Sequence, residues 1–87
     1  RFDKPMITVK ILTFGVVRDM LGGRSVLHES LPAETRLETL AALLNDRYPA
    51  LKRLSSLRFA VNAHYAAPDC VLRPNDEIAL IPPVSGG

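Results

Sequence analysis

The sequence predicts an α+β domain built on one mixed sheet, and three observations carry that reading. Strand-like patterns stand near both ends of the chain: Ile7, Val9 and Ile11 alternate with Thr8 and Lys10, and Glu77-Ile78-Ala79-Leu80-Ile81 forms a second, sharper run. Between them Leu37, Leu40, Ala41 and Leu44 recur at i, i+3, i+4 and i+7, the apolar stripe of a helix. The order strand, short helix, strand, long helix, strand, strand then covers one face of a single sheet with the long helix.

Each element has its own local cause. Met6 to Phe14 is the first strand, and Val16, Val17, Met20 and Leu21 then give about two helical turns before Gly22-Gly23 stop them. Ser25 to Leu31 reads as a strand with Leu27, Glu29 and Leu31 on one face, closed by Pro32. Thr35-Arg36-Leu37-Glu38 has the spacing of a capping box, so the long helix is expected to begin at Thr35, with Leu43 widening its stripe. Tyr48-Pro49 ends it, because a residue before proline avoids the helical region. Leu51, Leu54 and Leu57 are expected in a loosely ordered apolar connection. Arg58 to Asn62 is a short strand, Tyr65 to Leu72 is expected to pair briefly, and Arg73-Pro74-Asn75-Asp76 is a turn. With the first and last strands side by side at the centre of the sheet, the arrangement is that of a β-grasp.

Composition narrows the function classes. A chain of 87 residues, 47% of them hydrophobic, supports one modest core and no second domain. We place the domain at residues 6–87 and read residues 1–5 as a cloning scar or alternative start, since Met6 opens the first regular pattern. Without Arg1, Asp3 and Lys4 the net charge falls from +2 to +1. Arg18, Arg24, Lys52, Arg53, Arg58 and Arg73 are scattered without interleaved aromatics, which argues against a nucleic-acid partner. The single cysteine, Cys70, excludes an internal disulfide and four-cysteine metal sites, and suits a reducing cytoplasm. No run is long enough to span a bilayer and no signal-peptide pattern opens the chain, so no membrane association is expected.

The chemistry is expected in the tail Pro82-Pro83-Val84-Ser85-Gly86-Gly87. Two prolines remove two backbone donors and stiffen the exit from the last strand. Two glycines then leave nothing bulky to block a narrow channel. The reactive group is the carboxylate of Gly87, inert until another enzyme converts it to an acyl phosphate or adenylate that a sulfur nucleophile can attack. The product is a thiocarboxylate, a sulfur atom carried on a protein arm.

Three stretches carry a family resemblance: Ile11-Leu12-Thr13-Phe14-Gly15-Val16-Val17-Arg18-Asp19, Ala60-Val61-Asn62, and Asn75 through Gly87. Together they are similar to the small subunits of molybdopterin synthase over nearly the whole chain from Met6. Asp19 stands where that family often has glutamate, and Leu80-Ile81 where it often has aromatics; neither touches the tail. The resemblance implies a β-grasp, ubiquitin-like fold and a non-catalytic, sulfur-donating subunit. It implies that a ubiquitin-activating-type adenylyltransferase uses ATP to adenylate Gly87, and that a sulfur donor protein makes the thiocarboxylate. The large synthase subunit then takes Pro82, Pro83, Val84, Ser85 and Gly86 into its active site. There sulfur passes to cyclic pyranopterin monophosphate in molybdenum cofactor biosynthesis, within a heterotetramer.

Outside the tail, Phe59, Leu80, Ile81 and Arg18 are candidates for the partner interface, because Leu80 and Ile81 point to opposite faces of one strand and only one face meets the helix. Cys70 lacks a nearby base and reads as a passive thiol. His28 and His64 have no ligands at metal spacing, and no metal or resident cofactor is expected. Asp69, Asp76 and Glu77 resemble an acid–base set, yet Asp76-Glu77 open a strand after a turn and read as solvated turn residues. The alternatives are a carrier feeding thiazole, cysteine or tRNA thiolation, a ubiquitin-like protein modifier whose Gly87 is attacked by a lysine, and a β-grasp binding module with an idle terminus.

Overall fold

Ile7, Val9, Ile11 and Thr13, every second residue of the first strand, are buried, so the alternation in the sequence is the alternation of the sheet's two faces. The computed structural model describes residues 4–54 and 57–82. Its elements run β1 (Met6–Thr13), α1 (Gly15–Met20), β2 (Val26–Pro32), α2 (Leu37–Arg47), a 3-10 turn (Pro49–Arg53), β3 (Arg58–Val61), β4 (His64–Tyr65) and β5 (Glu77–Ile81). The five strands form one sheet in the order β2-β1-β5-β3-β4. β1 and β5 pair in parallel at its centre, from Lys10 opposite Glu77 to Thr13 opposite Leu80. The other pairings are antiparallel, which makes the sheet mixed, as expected of a β-grasp.

The core gathers Val9, Ile11, Ile78 and Leu80 from the two central strands against Leu37, Leu40 and Leu44 of α2, with Val17 of α1 and Leu21 just past its end closing one end. Gly22 and Gly23 both hold positive φ, +84° and +82°, and the Gly23 amide donates to the Arg18 carbonyl across 2.8 Å, which terminates α1 where the glycine pair predicts. Leu27 and Leu31 of β2 are buried beside Glu29, whose carboxylate pairs with Arg47 in the last turn of α2. The polar interruption of β2 is therefore a cross-link between its strand and the helix end.

Several expectations are corrected. The capping box does not form: α2 begins at Leu37 with Arg36 as its cap, and the Thr35 hydroxyl donates instead to the Pro32 carbonyl, 2.6 Å away. The first free amides of the helix are met from outside it, Leu37 donating to the Cys70 carbonyl and Glu38 to the Pro68 carbonyl, each across 2.8 Å. Both partners lie thirty or more residues along the chain and leave no local spacing in the sequence. The segment Tyr65 to Leu72 does not pair as one strand; it gives the two-residue β4, a single bridge from Val71 to Arg36, and these caps. Pro49–Arg53 is an ordered 3-10 turn with Leu51 buried, where a loose connection was expected. Asp76 is buried, not solvated: its carboxylate accepts from the Asn62 amide and from the Arg73 backbone, both at 2.8 Å. Residues 4 and 5 also join the fold, the Pro5 carbonyl extending the β1–β2 ladder by accepting from the Ala33 amide at 2.7 Å.

Candidate functional site

The parallel pairing of β1 and β5 fixes where the tail leaves. Both strands finish at the same end of the sheet, Thr13 beside Leu80, so Pro82 emerges next to the β1–α1 turn at Phe14-Gly15. On its other side β5 is held by β3, with Ile81 opposite Arg58. The root of the tail is thus the last residue of a strand clamped from both flanks. Pro82 is half-buried; Pro83, Val84, Ser85, Gly86 and Gly87 lie outside the described residues.

The four interface candidates separate. Leu80 is fully buried in the core, because its side of β5 faces α2, and it has no surface to offer a partner. Phe59, directly opposite Leu80 and so on the same face, is half-buried in a groove of about 590 Å³ between α2 and β3, lined also by Leu37, Ala41 and Ala66 and, at the sheet edge, by Arg58 and Tyr65. Ile81 is out of phase with Leu80 and lies on the face without a helix. Arg18 is exposed on α1, one turn beyond Phe14, to whose carbonyl its amide donates. Arg18 and Ile81 stand at the tail's end of the molecule; Phe59 looks the other way and Leu80 looks inward.

The open face has a composition that the candidates alone do not convey. One register row crosses all five strands on this side: Val26, Leu12, Ala79, Ala60 and Tyr65, each paired with the next. Ile81 stands two residues beyond Ala79 toward the tail, and Phe14, 51% exposed, follows Thr13 at the same end. Tyr65 is 67% exposed, and the Arg58 guanidinium lies over its ring, 5.7 Å from the centroid. An uninterrupted apolar row on an uncovered sheet face is a surface suited to a partner. Its signal in the sequence is the doubled apolar pair, Ile11-Leu12 as much as Leu80-Ile81, which marks strands with apolar residues on both faces.

Among the described residues, no three of His, Cys, Asp and Glu gather as metal ligands. His28 and His64 are exposed, and Cys70 is half-buried with its carbonyl used as a helix cap. The Lys4 ammonium, hydrogen-bonded to Glu34 at 2.9 Å, holds that carboxyl below its usual value, at the opposite end of β1 from the tail. No helix among the described residues is long and apolar enough to cross a membrane.

Comparison with known proteins agrees with this geometry. The family model described as the ThiS family matches residues 11–87, from the middle of β1 through both terminal glycines. A molybdopterin synthase sulfur carrier subunit of Caenorhabditis briggsae is 40% identical over 85 residues, covering 94% of this chain and 100% of that protein. Among solved structures, a Pyrococcus furiosus chain provisionally named molybdopterin converting factor subunit 1 superposes with a TM-score of 0.82 at 24% identity, covering 90% of this chain and 99% of its own. A complex of subunits 1 and 2 of the molybdopterin-converting factor from Helicobacter pylori contains a chain 26% identical, with a TM-score of 0.65, covering 93% of this chain and 100% of that one. With its central strand running out into a matched diglycine tail, the chain belongs to the ThiS family, among the molybdopterin synthase sulfur carrier subunits.

Proposed function

We propose that this chain carries sulfur as a thiocarboxylate on Gly87 for molybdopterin synthesis, and that its folded part is the handle that presents the tail. The observation that carries the proposal is continuity: the family match runs through Gly87, and the same residues extend the doubly clamped strand β5. The Gly87 carboxylate attacks the α-phosphorus of ATP in an activating enzyme and pyrophosphate leaves; the terminal sulfur of a donor protein's persulfide then displaces AMP from the acyl carbon, and two thiol equivalents reduce the resulting acyl disulfide, releasing the donor's thiol and leaving the thiocarboxylate. Residues Pro82 to Gly86 thread into the large subunit, where two successive transfers give cyclic pyranopterin monophosphate its dithiolene sulfurs. That subunit supplies the pocket, acids and bases; this chain supplies sulfur and position.

Docking uses the open sheet face. Leu12, Ala79, Ile81 and Tyr65 form its apolar centre, with Arg18 at the edge near the tail. The relative's complex of two subunits supports an assembly of this kind. The test is to incubate the chain with ATP, an activating enzyme and a sulfur donor, and to weigh it intact. Replacement of one oxygen by one sulfur, lost on deletion of Gly87, is the expected result. An unchanged mass together with full synthase activity after that deletion overturns the proposal. Adding the large subunit and the pterin precursor separates this pathway from thiazole, cysteine or tRNA thiolation. An isopeptide adduct in place of a thiocarboxylate identifies a modifier.

A further inference from the structure

Arg58 belongs by register to the open face, at the sheet edge where it and Tyr65 also border the groove beside α2. It is directly opposite Ile81 across the β3–β5 ladder, and its guanidinium lies over the ring of Tyr65, the last member of the apolar row. Flanked in this way by two apolar members of the docking surface, it is covered when they are. A guanidinium removed from water without a partner costs several kcal/mol, so a face that covers it must return an acceptor of opposite charge. Among the described residues no carboxylate of this chain pairs with it. The contact with Tyr65 keeps the guanidinium beside the ring, and its planar fork favours a two-pronged acceptor over a point contact.

We infer that Arg58 reads the partner: the surface that docks on the open face presents a carboxylate to this guanidinium, set within an apolar patch that covers Ile81 and Tyr65. The inference rests on the docking reading given under the proposed function. The partner is the large subunit, recognised by one acidic side chain among apolar ones.

The full chain is titrated with the large subunit by calorimetry, as native protein and as Arg58→Leu, Arg58→Lys and Arg58→Glu. Arg58→Leu leaves the partner's carboxylate buried and unpaired, and affinity falls about thirtyfold. Arg58→Lys recovers part of the loss because it restores charge without the fork, and Arg58→Glu falls further than Arg58→Leu. One lysine substitution among the large subunit's surface carboxylates restores binding to Arg58→Glu. Equal melting temperatures, and equal sulfur loading by the activating enzyme, show that the variants are folded. A loss below about fivefold for Arg58→Leu, the range of a solvated rim pair, overturns the inference; so does the absence of any restoring carboxylate. If the native chain itself fails to bind the large subunit, the docking reading falls first and this inference with it.

Discussion

The Asn62 side-chain amide donates to the Asp76 carboxylate across 2.8 Å, while the Asn62 side-chain oxygen accepts from the Glu77 backbone at 3.0 Å. One residue at the β3–β4 turn thus fastens the entrance to β5, the strand from which the tail extends. Asn62 also holds a positive φ of 51°, which asparagine tolerates better than most side chains. Replacing Asn62 with alanine removes both bonds and leaves the buried Asp76 with fewer donors. The expected loss is about 1–3 kcal/mol, read from the midpoint of urea unfolding.

Ala63, the next residue, sits at a φ of 71° in the same two-residue hairpin turn. A side chain there meets the Cβ strain that glycine avoids, and asparagine followed by glycine is the favoured pair for such turns. Ala63→Gly is expected to raise stability by about 0.5–1 kcal/mol, seen as a melting temperature several degrees higher. A lower melting temperature contradicts the assigned turn.

Glu29 and Arg47 invite a double-mutant cycle. The Glu29 side chain is 9% exposed and the Arg47 side chain 46%, so removing the arginine leaves a carboxylate in a nearly closed site, whereas removing the glutamate leaves a cation that reaches water. Arg47→Met is expected to destabilise by about 1–3 kcal/mol. Adding Glu29→Leu to Arg47→Met recovers most of the loss, because the pair as a whole contributes little beyond its own desolvation. Chemical denaturation of the four proteins checks this.

Leu80 and Ile81 are neighbours with opposite expected fates. Leu80→Ala opens a cavity in the core and costs about 2–5 kcal/mol. Ile81→Ala lies on the open face, costs about 1 kcal/mol or less, and weakens binding of the large subunit while leaving sulfur loading of Gly87 intact. Stability, binding and intact mass measured on both variants separate the two roles.

How much of this was legible depends on the range of each interaction. The alternation of Ile7, Val9 and Ile11 and the stripe of Leu37, Leu40 and Leu44 are local patterns, and the structure repeats them as burial. The last strand falls where the sequence places it, at Glu77–Ile81. The start of α2 is not readable from local spacing because its amides are capped by Pro68 and Cys70, a tertiary contact. Asp76 reads as solvated because its turn is visible in sequence while its partner Asn62 is fourteen positions away. For the site, the tail stands out in the sequence because the chemistry proposed for it lies in its covalent structure. Which of Leu80 and Ile81 faces outward was not, since a strand with apolar residues on both sides hides its phase, and only the helix decides it.

The central parallel pair also has a mechanical meaning. A partner that grips the tail pulls on Pro82 along the axis of β5, and this strand is bonded on one side to β1 and on the other to β3. A pull in that direction slides the strand against both neighbours, so the ladder bonds share the load and must yield together instead of opening one at a time from an end. The protein can therefore be drawn repeatedly out of tight-fitting sites by its own body without unravelling at the point of attachment, much as a tool keeps its bit when the tang runs the length of the handle.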